Sequence, residues 1–226
     1  MSQLLIITLD GPAGAGKSSV AKTLAQRLNI SYLDTGAMYR ALTLKALRTK
    51  INLSDEDALA VMAQQTTIDF RQDGKGGLRI FLDGKDVSEE IRTLEVTNNT
   101  FYAARAPKVR ATLVKWQQAM AEKMSLVGEG RDLGTVVFPK ATYKFYLDAD
   151  FQERCRRRIK ELKEQGKTFD EEQLKKDIQE RDQKDLTRQA SPLRKADDAI
   201  VIDSTGMSVD DTADFIINHI KVSPRV

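Results

Sequence analysis

The sequence predicts an α/β fold, a central parallel sheet flanked by helices, carrying a small β-containing insertion. Three observations predict it. The apolar run Leu4 to Leu9 stops at Asp10-Gly11-Pro12 and gives way to helical periodicity, so the order is strand, glycine-rich turn, helix. Short apolar runs then alternate with charged amphipathic stretches, the rhythm of parallel strands joined by right-handed crossovers. Residues 68–87 break that rhythm with two strand-like pieces around a glycine-rich turn.

The elements follow in order. A helix is expected from Lys17, because Val20, Leu24 and Leu28 recur on one face. A second is expected over Ala37–Thr49, and a third from Ser54, with Ser54 and Asp57 as a capping pair. After the insertion, Lys108–Met124 reads as a helix whose Val109, Leu113, Trp116, Met120 and Met124 form a core stripe. Ser125–Glu129 and Tyr143–Leu147 read as strands. Phe151–Gln165 and Asp170–Thr187 read as two highly charged helices around Gly166. Ala199–Asp203 reads as the last strand and Ser208–Ile220 as the last helix.

Composition narrows the chemistry. The 226 residues hold 36 Lys+Arg against 33 Asp+Glu, a net charge of +3, too small an excess to argue for nucleic acid. Cys155 is the only cysteine and His219 the only histidine, which excludes intrachain disulfides, multi-cysteine metal sites and histidine clusters. What remains is carboxylates, Lys, Arg and backbone groups, the equipment of phosphoryl transfer. No segment approaches the roughly 20 apolar residues of a membrane span. Leu4–Leu9 is too short for a signal sequence and lacks a basic flank, so a cytoplasmic protein is expected.

Gly11 to Ser18, GPAGAGKS, fits the phosphate-loop pattern G-x-x-x-x-G-K-[ST] between a predicted strand and a predicted helix. Gly11, Pro12, Ala13, Gly14, Ala15, Gly16, Lys17 and Ser18, with Ser19 beside them, are therefore the expected nucleoside triphosphate site. Backbone N–H groups and the helix N-terminus face the phosphates. Lys17 supplies a mobile cation, and the Ser18 hydroxyl is a candidate Mg²⁺ ligand, the ion being held mainly by ATP. This predicts a P-loop fold but not the acceptor.

No Asn is followed by Lys, so the guanine-reading N-K-x-D segment of GTPases is missing. A small-molecule kinase needs a second anion site opposite the first. Arg40, Arg110, Arg131, Arg181 and Arg188 lie near predicted element ends or turns and can fork onto phosphate. Arg181, Asp185 and Arg188 share a helix face, which suits either a solvated ion pair or a preset polar face for sugar and phosphate. Two other readings stand beside a nucleotide kinase. One is a kinase of another small acceptor. The other is a nucleic-acid-binding P-loop module using Arg156 to Lys163.

Three further segments carry a resemblance. Leu33–Arg40 (LDTGAMYR), Glu129–Pro139 (EGRDLGTVVFP) and Glu180–Arg188 (ERDQKDLTR) resemble the LD(S/T)GAxYR, GRDxGTVVFP and ERDxxDxxR segments of bacterial cytidylate kinases. With the P-loop and Ile91-Arg92 the likeness spans nearly the whole chain. It implies transfer of phosphoryl from ATP with Mg²⁺ to CMP, and to dCMP, by a monomer without nucleic-acid or membrane partners. It implies that Arg40, Arg131 and Arg188 hold the CMP phosphate beside Thr35. Arg110 and Asp132 would face cytosine, and Arg181 and Asp185 would hold the sugar. Lys17, Arg131 and Arg188 would be catalytic, and Arg157 would reach ATP. It also implies a core of residues 1–65 and 98–226, a short helical lid near 151–170 with Arg154, Arg157 and Arg158 as its arginines, and a β insertion of the monophosphate-binding domain over 66–97. The sequence departs from the family at Phe101, where Ser is frequent beside the base and Thr100 is the neighbouring hydroxyl. It departs again at Glu129, where some relatives have Asp.

Overall fold

A computed structural model describes residues 4–72 and 78–222. The chain divides into two compact units, one of residues 1–33 and 121–226, the other of residues 34–120. In chain order the regular elements begin with β1 (Ile6–Asp10), α1 (Lys17–Leu28) and β2 (Ser31–Asp34). The second unit holds α2 (Thr35–Arg48), α3 (Glu56–Gln64), β3 (Ile68–Gln72), β4 (Leu78–Leu82), β5 (Lys85–Asp86), a 3₁₀ turn (Glu90–Arg92), α4 (Leu94–Arg105) and most of α5 (Pro107–Ala121). The first unit resumes with β6 (Leu126–Gly130), a π turn (Leu133–Val137), β7 (Tyr143–Asp148), α6 (Phe151–Glu164), α7 (Glu171–Thr187), β8 (Ile200–Asp203) and α8 (Val209–Val222).

The sheet of the first unit runs β2-β6-β1-β7-β8. Central β1 pairs in parallel with β6 and β7, and β7 with β8. Ile7, Leu9, Val127, Phe145, Leu147 and Ile202 of the sheet pack with Val20, Leu24, Ala213 and Ile216 of α1 and α8. A central parallel strand is covered by its neighbours, which is why β1 reads as a nearly continuous apolar run, while β6 (LVGEG) is buried throughout despite its Glu and glycines. His219 sits edge-on to Phe145 and Tyr143 at 5.9 and 6.4 Å between ring centroids, so the single histidine packs as an aromatic of α8. In α6 and α7, Cys155, Leu162, Leu174 and Ile178 bury a small core of their own.

The second unit centres on Ala37, Ala41 and Leu44 of α2, packed with Ile80, Leu82, Val87, Ile91 and Val96. Its sheet is antiparallel, β3-β4-β5, one strand more than the two pieces read from sequence. The glycine-rich turn expected between β3 and β4 falls on residues 73–77, outside the described residues. No described helix is long and apolar enough to cross a membrane.

Several expectations shift. β2 and α4 have no counterpart in the periodic reading. β2 is only four residues long, and the LEVTNNTFYAAR of α4 is rich in weak helix formers. α4 is held instead by the Thr93 cap and by burial of Val96 and Ala103. The apolar stripe of α5 also differs. Val109, Leu113 and Gln117 form the buried row, Trp116 and Met120 are half-buried, and Met124 lies exposed past the helix end. The row follows the i, i+4 ridge, which drifts from the wider stripe and admits Gln117 because its amide reaches Met38 Sδ at 3.5 Å. Finally, α3 is capped by Asp55, not Ser54. The Asp55 carboxylate accepts from Ala58 N–H at 2.9 Å, while Ser54 sits one residue too early to reach the first turn. Asp55→Ala should therefore lower unfolding free energy by about 1 kcal/mol, whereas Ser54→Ala should stay within about 0.5 kcal/mol. Denaturant melts of the two variants distinguish these outcomes.

Candidate active site

The site of the first unit lies at the carboxyl ends of β1 and β6, where a parallel sheet opens toward ligands. After Asp10 the chain turns through Gly11, Gly14 and Gly16 at φ of 146°, 78° and 89°. Only glycine suits Gly11, because a Cβ there would stand 1.9 Å from the Leu147 carbonyl oxygen. Gly16 caps α1 without a side-chain bond, so the first-turn N–H groups are left for an anion.

Lys17 is buried and its ammonium donates to the Pro12 carbonyl at 2.6 Å. Burial pulls its pKa down to about 7, and the nearby Arg131 and Arg181 push the same way against Glu129 and Asp185. The Ser18 hydroxyl donates to Glu129 Oε1 at 2.5 Å, and Tyr32 donates to the same oxygen at 3.2 Å. A hydroxyl and a carboxylate at the helix start are hard oxygen donors, a set that fits Mg²⁺. Among the described residues no cluster of three acidic, His or Cys side chains could hold a metal alone. Substrate phosphates would then have to supply most of the coordination.

Arg131, after β6, donates through Nε to Asp185 Oδ2 at 2.7 Å and through Nη1 to Gly130 O at 3.1 Å. Burial works against its charge, but Asp185 outweighs that and raises its pKa. In turn Arg131 and Arg181 overcome burial and hold Asp185 low. Asp132 opens the π turn and stands 3.5 Å from Arg188 Nη2, while Arg188 Nε donates to Ser191 O at 2.7 Å. The whole turn is anchored by Asp10, whose two carboxylate oxygens accept from Leu133 and Gly134 N–H at 2.9 and 2.7 Å. Burial lifts Asp10 to about 6 despite those two bonds.

The three arginines of α6 expected in the lid are all engaged. Arg154 bonds Ala149 O, Ala13 O and Asp182, Arg157 bonds Glu153 and Ser204, and Arg158 bonds Glu161. Ser204 in turn donates to Ala15 O at 3.1 Å.

In the second unit Thr35 begins α2, and Asp34 caps it by accepting from Ala37 N–H at 2.7 Å. The same carboxylate pairs with Arg40 Nη2 at 3.0 Å, while the buried Arg40 Nε has no hydrogen-bond partner, as expected of a fork awaiting an anion. Arg110 is buried, 5.6 Å over the Tyr39 ring, with Nη1 3.4 Å from Ala104 O. Thr100 spends its hydroxyl proton on Val96 O at 2.7 Å, and Phe101 lies against Arg105.

The structure thus brings Lys17, Arg131, Arg181, Asp185 and Glu129 within electrostatic reach of one another in the first unit. Thr35, Arg40 and Arg110 belong to the second. Sequence reasoning passed over Asp10, Asp182 and Ser204. Asp10 carried a signal, an acidic residue closing an apolar strand. Asp182 lies inside the Glu180–Arg188 segment, but its spacing did not point to Ala13 and Arg154 as partners, and Ser204 carried no signal.

The chain is similar to known proteins over nearly its whole length. A family model described as cytidylate kinase matches residues 7–222. A cytidylate kinase from Desulforamulus reducens is 52% identical over 221 residues, 98% of this chain and 99% of that one. One from Alkaliphilus oremlandii is 46% identical over 215 residues, 95% and 97% of the two chains. One from Listeria monocytogenes is 46% identical over 219 residues, 96% of each. The solved structure of an uncharacterized protein from Eubacterium ventriosum superposes over 98% of this chain and 100% of that one, with TM-score 0.53 and 17% identity, a likeness of fold. With the match running through nearly every element from β1 to α8, this chain belongs to the cytidylate kinase family.

Proposed function

We propose that the chain transfers the γ-phosphoryl group of ATP to the phosphate of CMP, and of dCMP, giving ADP and the corresponding diphosphate. The observation that carries the reading is buried Lys17 with the half-buried Arg131 and Arg181 within electrostatic reach, beside a helix start with no side-chain cap. Such a cluster suits a triphosphate and a phosphate-bearing acceptor better than any neutral ligand.

The chain's own residues then divide the work. The loop from Gly11 to Ser19 cradles the triphosphate, and Lys17 leaves the Pro12 carbonyl to meet it. Arg131 and Arg188 neutralise charge on the transferring group, Arg40 and Thr35 are assigned to the CMP phosphate, and Arg181 and Asp185 to the sugar. Arg110 and Asp132 read the cytosine edge. Ser18, with Glu129 beside it, would hold Mg²⁺, which when bound spreads phosphate charge. The attacking phosphate oxygen of CMP has a second pKa of about 6 and is ionised at neutral pH. No general base is needed, in keeping with a histidine packed among aromatic rings. Catalysis is then positioning and charge neutralisation. The lid over 151–170 and Arg157 are part of the same proposal, as are the β insertion over 66–97, the monomeric state and a cytoplasmic setting.

The direct test is ADP release with ATP and a panel of nucleoside monophosphates. CMP and dCMP should turn over fastest, and faster use of AMP or GMP overturns the base assignment. Arg110→Met should raise KM for CMP at least about tenfold and leave KM for ATP nearly unchanged. An equal rise in both contradicts a base-reading role. Lys17→Ala should lower kcat/KM by on the order of 10²-fold or more with the fold intact. Lys17 also gives a pH signature. Its pKa of about 7 leaves it mostly neutral at pH 8, and phosphate must raise that pKa. ADP binding at pH 8 should therefore take up on the order of one proton and weaken as pH rises above 7. Calorimetry in buffers of different ionisation enthalpy reads the uptake, which should vanish in Lys17→Ala.

A further inference from the structure

Resting on the reading that this loop takes ATP, we propose that Arg154 and Asp182 form a positioning pair that sets the phosphate loop for the triphosphate. The loop alone has unusual freedom, with three glycines at positive φ within six residues. Something outside it must select one conformation. Both polar backbone groups of Ala13 are taken by side chains of other helices. Its N–H donates to Asp182 Oδ1 at 3.2 Å and its carbonyl accepts from Arg154 Nη1 at 2.9 Å. The same Nη1 donates to Asp182 Oδ2, closing a ring of three residues, and Arg154 Nε is fixed on Ala149 O at 3.1 Å.

The pair is nearly buried, with side-chain exposures of 9% for Arg154 and 13% for Asp182. Burying an ion pair brings little net stability, so its presence here points to geometry. Contact continues at the next residue. A Cβ on Gly14 would stand 3.1 Å from both Arg154 Cβ and the Arg154 carbonyl oxygen, so the first turn of α6 rests directly on the loop. Pro12, on the other side of Ala13, offers the carbonyl on which the Lys17 ammonium rests. Fixing the Ala13 peptide therefore fixes where Lys17 starts and which way the N–H groups after it point.

Asp182 has a second consequence through its helix. Asp185 lies one turn further along α7 and holds Arg131 at 2.7 Å. One turn of α7 thus grips the triphosphate loop with one carboxylate and a phosphate-facing arginine with the other. A rigid helix sets the distance between the two groups, which matters when in-line transfer tolerates little misplacement.

The test compares wild type, Asp182→Asn, Arg154→Lys and the double variant by separate KM values for ATP and CMP, kcat, the Kd for ADP and thermal unfolding. Arg154→Lys keeps the charge pair and loses the forked reach, so it serves where Asp182→Asn folds poorly. Each single variant should raise KM for ATP and the Kd for ADP about tenfold, leave KM for CMP within about twofold, and lower kcat. The double variant should be little worse than the worse single one, because the two side chains act on one peptide. Folded variants whose ADP affinity stays within about twofold of wild type overturn the inference, as does a proportional rise in both KM values. The same experiment separates the two readings. Wild-type protein that binds no ADP and phosphorylates no CMP ends both, whereas active wild type with indifferent variants ends the positioning role alone.

Discussion

Like charge crowded into one place is the constraint on which the rest of this structure depends. Lys17, Arg131 and Arg181 repel one another before any ligand arrives, and burial removes the water that would soften the repulsion. The protein answers with carboxylates in fixed positions. Asp185 grips Arg131, Glu129 holds the Ser18 hydroxyl beside Lys17, and Asp132 stands by Arg188. The cations are held in place without being neutralised outright. Lys17 yields most, losing proton affinity, which leaves it ready to gain a partner with more negative charge than a carbonyl oxygen.

Holding these groups requires an unyielding frame, and the parallel sheet supplies it. β1, β6 and β7 end at neighbouring levels, with Asp10 paired in register to Gly130 and Tyr146. Asp10 then ties the turn after β6 to the end of β1 through two backbone N–H groups. The Arg131–Asp132 segment is thereby aimed by the strand that also launches the phosphate loop. Raising Asp10 toward 6 is the energetic consequence of putting a carboxylate where a rigid anchor was needed.

Helices α6 and α7 complete the frame from the far end of the chain. Their own core is small and their surfaces densely charged, yet Arg154, Arg157, Asp182 and Asp185 all turn inward to the loop, to Ser204 and to Arg131. A charged helix that looks solvated in sequence is here partly an internal scaffold. Burial of its charged groups is tolerated because nearly every one has a partner of opposite sign or a carbonyl.

By itself the sequence determined the parallel α/β order, the phosphate loop, the β insertion and the identity of the arginine-bearing segments, because each rests on local periodicity or on short contiguous spacing. It also marked Lys17, Arg131, Asp185 and Arg188, since these lie inside such segments. Only the tertiary structure decided which carboxylate meets which cation. Asp182 and Arg154 are 28 residues apart, and Asp182 lies 169 residues from the loop it grips. The same holds for the weak helix α4, the brief strand β2 and the cap at Asp55 rather than Ser54. Propensity over a few residues is smaller than the free energy of packing or of one well-placed hydrogen bond, and those arise only when distant parts of the chain come together.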